Sequence, residues 1–184
     1  MFKEIDDING EIQPVKSARR KFLKLAALGG GASLFNLTLP TSTVMAAGHS
    51  DVLLLSCMDF RLMHKIENYM QNRGYNNNYD HIILAGASLG ALTTKFPAWN
   101  KTFWQHLEIA IQLHNIHKVI VMDHRDCGAY KTILNKDFFK NPVDEMSTHA
   151  HYLKDLRAMI NKRYPSLGVE SLLMALDGTV ETVT

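Results

Sequence analysis

The chain has two cysteines, and each lies in a short run of groups that could act on a metal: Cys57-Met58-Asp59-Phe60-Arg61 and His124-Arg125-Asp126-Cys127. Cys57, His124 and Cys127 together offer two thiolates and one imidazole. Zinc takes such a set where three protein ligands leave a fourth position for water or substrate. Read as an extended segment, the first run turns Cys57, Asp59 and Arg61 to one side, lining up a thiolate, a carboxylate and a guanidinium. The rival use of the cysteines is a Cys57–Cys127 disulfide, a common role for paired cysteines in exported proteins. A disulfide leaves Asp59, Arg61 and the histidine three residues before Cys127 unexplained.

The elements that must position these residues alternate between strand and helix. Val52 to Ser56 reads as a strand, and a helix follows from about Leu62 to Arg73 with Ile66, Tyr69 and Met70 on one face. His81 to Leu84 predicts a second strand after an Asn76-Asn77-Asn78 turn. Trp99, Phe103, Leu107, Ala110, Ile111 and His114 then recur at helical spacing. Lys118 to Met122 predicts a third strand, with helices from near Cys127 and from about Thr148 to Arg163, and a fourth strand over Glu170 to Ala175 before an Asp177-Gly178 turn. This order predicts an α/β fold with a mostly parallel sheet flanked by helices. Both cysteine runs then fall just past the carboxyl ends of strands one and three, where open sheets of this kind bind ligands.

The two runs resemble the beta-class carbonic anhydrases, whose zinc is held by a Cys-x-Asp-x-Arg segment and a downstream His-x-x-Cys. The likeness covers roughly Val52 to the C-terminus. The stretch Leu84 to Gly90 resembles the family's small-residue segment, and Leu107-Glu108-Ile109-Ala110 followed by Val119-Ile120-Val121 resembles its helix and strand leading to the histidine. The resemblance implies one zinc ion per chain on Cys57, His124 and Cys127, with Asp59 and Arg61 as catalytic dyad. Gly86, Ala87 and Gly128 are the candidate substrate-binding positions.

The implied reaction is reversible hydration of carbon dioxide to bicarbonate by hydroxide formed on zinc. Two thiolates cancel the charge of the divalent ion, so water there should be less acidic than at a site of three neutral histidines. Asp59 would orient the hydroxide, and Arg61 would keep Asp59 ionised and off the metal. Hydrolysis of carbonyl sulfide or carbon disulfide on the same site is the alternative reaction. A zinc-binding or thiol-redox module without turnover is the alternative from another class. The family pairs its subunits, which implies a homodimer or higher homo-oligomer. Three positions depart from the family: Phe60 replaces a small hydroxyl residue, Leu84-Ala85 replaces an Arg-Asn pair, and a leader occupies the place of the helical arm.

That leader covers residues 1–46. Ser17-Ala18-Arg19-Arg20-Lys21-Phe22-Leu23-Lys24 resembles a twin-arginine motif, Leu25 to Leu39 is modestly apolar, and Val44-Met45-Ala46-Ala47 offers a small-residue cleavage site. Residues 47–184 are then the exported zinc domain, delivered to the periplasm by the twin-arginine machinery. Of 20 basic and 18 acidic residues, 6 and 4 precede the cleavage site, so 14 of each remain and the mature domain is formally neutral. No basic stripe with interleaved aromatics points to nucleic acid. Among the other polar residues, Asp126 reads as a solvated carboxylate, Tyr130 as an ordinary helix aromatic, and His149 and His151 as surface, since residues two apart do not share a helix face. Proton export could use His64, His81, His106 or His114.

Overall fold

A computed structural model of the chain describes residues 48–138 and 141–184. The leader expected over residues 1–46 lies outside them. Among the described residues, no helix is long and apolar enough to cross a membrane.

Among the described residues, five strands form one sheet in the order β2-β1-β3-β4-β5: β1 is Val52–Ser56, β2 Tyr79–Ile83, β3 Lys118–His124, β4 Gly168–Met174 and β5 Val180–Thr182. The first four run parallel, and β5 returns antiparallel to β4. The α/β, mostly parallel architecture is therefore the one the sequence predicts. β1 reads Val-Leu-Leu-Leu-Ser and is buried throughout, as a central strand covered on both faces should be. The chain leaves β1 towards β2 on one side and returns to β3 on the other. The carboxyl ends of β1 and β3 thus flank the point where strand order reverses, the place where open sheets of this kind bind ligands.

Alternation along the strands divides the core in two. Leu53, Leu55, Val119, Val121 and Leu173 face one side, while Val52, Leu54, Ile120, Met122, Leu172 and Met174 face the other. The second side is covered by α1 (Met63–Asn72) through Ile66 and Met70, one helical turn apart. The first side receives α2 (Ser88–Leu92), α3 (Pro97–His114), α4 (Gly128–Leu134) and α5 (Pro142–Arg163). α3 starts on a proline, buries Phe103, Leu107 and Ala110, and stops at Asn115 in left-handed conformation.

α5 begins six residues before the expected Thr148. Asn141 caps it by accepting a hydrogen bond from the Asp144 amide (3.1 Å), and Pro142 occupies the first turn, where a missing N–H costs nothing. Its buried stripe is Glu145, His149, Leu153, Leu156 and Ile160. The two polar members lie at the N-terminal end, beside the carboxyl end of the sheet. α2 and β5 are short elements that the sequence pattern did not separate from the neighbouring loops.

Candidate metal centre

Cys57 follows the last residue of β1, His124 is the last residue of β3, and Cys127 caps α4. The three predicted ligands are thus brought together, and one ligand atom from each lies within 4.8 Å of the other two. All three side chains are buried. The two sulfurs are 3.9 Å apart and both cysteines are free thiols, so the disulfide alternative is not what the structure contains.

The donor set fits a zinc ion. His124 Nδ1 bonds to the Arg125 carbonyl at 2.8 Å, which places the ring proton there and leaves the Nε2 lone pair available. That Nε2 is buried and has no hydrogen-bond partner among the described residues. An orphaned acceptor beside two thiol sulfurs is the arrangement a soft divalent cation satisfies. The Gly86 amide donates to Cys57 Sγ at 3.3 Å. The Cys127 thiol also hydrogen-bonds Cys57 and holds it well below the ordinary thiol range, outweighing burial. The same pairing, reinforced by burial, pushes Cys127 up. Between the thiols alone, the negative charge rests on Cys57. The helix start at Cys127 does not reverse that order.

Asp59 and Arg61 pair as expected, by a different backbone route. The segment is not extended through Arg61: it turns at Asp59, whose Oδ1 accepts the Arg61 amide (3.0 Å) while Leu62 N–H bonds to the Asp59 carbonyl (3.1 Å). An aspartate capturing the amide two residues on is an Asx-turn, a local preference that strand alternation overlooks. The turn folds Arg61 back onto the carboxylate, with Nε at 2.9 and 3.2 Å and Nη2 at 2.7 Å. These bonds, against some desolvation, hold the Asp59 carboxyl down at about 2. Asp59 Oδ2 lies 3.8 Å from His124 Nε2.

Asp126 is solvent-exposed, as the sequence reading has it, and is also paired with Arg61. Its Oδ2 accepts from Arg61 Nη1 at 2.9 Å and its carbonyl from Arg61 Nη2 at 3.0 Å. Bonds to Asp59 and Asp126 together raise the Arg61 guanidinium above its usual range. Asp126 sits at φ +56°, a left-handed conformation that aspartate tolerates better than most residues. The Glu145 carboxylate accepts its amide at 2.6 Å. Arg125 joins Glu145 (3.4 Å) to Glu181 of β5 (2.8 Å).

Behind the cysteines lies a group that sequence reasoning missed. The Asp123 carboxylate is fully buried and accepts from the Ser88 amide (2.9 Å), Ser88 Oγ (2.7 Å), Tyr130 OH (2.6 Å) and His149 Nδ1 (3.0 Å). His149 is therefore a core residue rather than surface, and His151 alone is exposed. Tyr130 is likewise buried and bonded, and burial pushes its phenol well above its ordinary range.

The three candidate substrate positions separate. Gly86, at φ +78°, is committed to the Cys57 sulfur, and Ala87, at φ +37°, is wholly buried. Gly128 opens α4 on the exposed side, where an added Cβ would meet nothing within 4 Å. Gly90 is tighter: a Cβ there would sit 2.6 Å from the Ala85 carbonyl oxygen.

Residues 47–184 match the protein family described as "Putative carbonic anhydrase". The chain belongs to that family. It is 38% identical over 134 residues to an uncharacterized protein of Rickettsia conorii, covering 73% of this chain and 72% of that one. An uncharacterized protein of Rickettsia bellii is 37% identical over 134 residues, covering 73% and 82%. Among solved structures, beta-carbonic anhydrase isoform I of Trichomonas vaginalis is similar at 15% identity and a TM-score of 0.49, with 91% and 93% of the two chains covered.

Proposed function

We propose that this chain is an exported enzyme that reversibly hydrates carbon dioxide to bicarbonate, with one zinc ion on Cys57, His124 and Cys127. The observation that carries this reading is the convergence of three buried donor atoms with an ionised carboxylate, Asp59, 3.8 Å from the imidazole nitrogen. Zinc bound there would act as a Lewis acid, lowering the pKa of water from about 15.7 towards about 7.

The chain's own residues supply the rest. Asp59 accepts a hydrogen bond from a water in the crevice and orients it, because at about 2 its carboxyl is ionised at every working pH. Arg61 grips both carboxylate oxygens, and its bonds to Asp126 keep the pair from swinging onto the ligand set. The Gly128 amide, on the open side, is assigned to the oxygens of bicarbonate.

Hydrolysis of carbonyl sulfide or carbon disulfide is the second reading. It is favoured by an apolar rim beside Asp59: Met58 is 64% exposed and Phe60 85%. Such a surface suits an uncharged linear substrate. The same rim, with exposed Ile83 at the end of β2, is the surface we assign to a second copy in a homodimer or larger homo-oligomer. The paired Arg19 and Arg20 support delivery to the periplasm by the twin-arginine machinery. Retention of an Arg19→Lys, Arg20→Lys precursor in the cytoplasm, read by fractionation, tests that route.

The deciding experiment is a zinc count on purified protein with stopped-flow assays of carbon dioxide, carbonyl sulfide and carbon disulfide from mildly acidic to alkaline pH. Hydration of carbon dioxide that climbs through and above neutrality is the expected result. Turnover of the sulfur substrates alone would select the second reading. Zinc binding without turnover of any of the three would leave a binding module.

A further inference from the structure

A carboxylate buried away from water is costly unless hydrogen bonds replace its hydration, so its position needs a reason. Asp123 receives four bonds from three different elements, and those from Ser88 and Tyr130 lead to two of the candidate ligands. The Ser88 amide and hydroxyl hold the small-residue segment two residues past Gly86, whose amide rests on Cys57 Sγ. Tyr130 holds α4 three residues past Cys127, its cap. Asp123 itself is the strand residue immediately before His124. His149, from the polar end of the α5 stripe, closes the fourth side with its ring 4.0 Å from that of Tyr130.

We infer that Asp123, with Ser88, Tyr130 and His149, is a positioning network that presets the separation of Cys57, His124 and Cys127, and so determines how tightly the chain binds its metal. The inference rests on the metal reading above, and does not depend on which substrate is used. The physical argument is preorganisation. The Cys57 and Cys127 sulfurs lie 3.9 Å apart on separate elements, and two thiolates on one metal would repel each other. A carboxylate tying their supporting elements together removes the freedom to splay apart. None of the four side chains is itself a proposed ligand or touches substrate. Their effect on chemistry is transmitted through the backbone of the Gly86 segment, the β3 terminus and the start of α4.

The test compares the parent with Asp123→Asn, Tyr130→Phe and Ser88→Ala by competition with a zinc chelator and by absorption of the cobalt(II)-substituted proteins. Loss of outer hydrogen-bonding partners commonly weakens metal binding by about 10–100-fold. We expect Tyr130→Phe and Ser88→Ala near the lower end of that range and Asp123→Asn near the upper. The d–d and sulfur-to-cobalt bands should shift in each. A purely structural role would lower thermal stability while leaving the bands of the folded protein in place. If Asp123→Asn does not fold, the two milder variants decide. Variants that fold, bind zinc as tightly as the parent and show unshifted bands would overturn the inference. A parent that binds no zinc would instead overturn the metal reading beneath it.

Discussion

Asp59 and Asp123 belong to the same small region, and they are stabilised by opposite means. Asp59 lies in a turn, partly buried, and is partnered by a cation, Arg61, which solvent reaches. Asp123 has no access to water and is partnered by a backbone amide, two hydroxyls and a buried imidazole. An exposed ion pair contributes little to folding, because water competes for both charges. A buried carboxylate with four donors is tied to the fold, because its removal strands those donors. One aspartate is therefore free to do chemistry and the other is committed to shape.

Four changes would break or sharpen this contrast, in decreasing order of effect on stability. The proposed zinc ligands stand above both aspartates: if zinc is held as proposed, Cys57→Ser, His124→Ala and Cys127→Ser should each reduce it from one per chain to none and abolish any zinc-dependent rise in melting temperature. Elemental analysis and thermal melts with and without zinc read both effects. Next, Asp123→Ala leaves the Ser88 amide and the His149 ring N–H buried without their acceptor, and the Tyr130 hydroxyl with only Ser88 Oγ. A loss of about 3 kcal/mol or more in denaturant unfolding is expected.

Asp59→Asn and Arg61→Ala should separate stability from rate. Each should keep its zinc and change folding stability by about 1 kcal/mol or less, while turnover falls by about 100-fold or more. The pH dependence follows from the depressed Asp59 carboxyl. A folded value of about 2 against the usual 3.8 means its contribution to stability is complete above that usual value and fades as pH falls towards 2. Asp59→Asn should thus lower the melting temperature slightly through the neutral range and converge with the parent as pH falls towards 2, which flattens the acid limb of the profile. Smallest of all is Gly128→Ala. An added methyl meets open space, so stability should stay within about 0.5 kcal/mol, and any drop in rate would report the substrate side of the crevice.

The sequence made the donors legible because cysteine, histidine and paired charges are scarce, and because β1 and β3 are continuous apolar runs that deliver them to one crevice. Local geometry was less legible. Strand alternation predicts a row of Cys57, Asp59 and Arg61, whereas the Asx-turn at Asp59 brings the dyad together by folding back. Asp123 interrupts an apolar strand, which marks a buried polar group once its partners are known, but those partners come from Ser88, Tyr130 and His149, far apart in the chain. His149 looks exposed when compared with His151. Compared at helical spacing with Glu145 and Leu153, it continues a buried stripe. The α5 start could be read from Asn141 and Pro142, a cap and a first-turn proline that outweigh the lack of buried apolar residues in that turn.

The contact at Gly90 bears on how this gene can vary. Any side chain there must displace the Ala85 carbonyl, and that carbonyl belongs to the residue before the amide that rests on the Cys57 sulfur. In a saturation library selected for zinc retention, Gly90 should admit almost no substitution, while exposed Gly128 accepts many. A position with no side chain would then rank among the least replaceable in the protein, and a tolerance map would reveal the sulfur's support without any direct view of the metal.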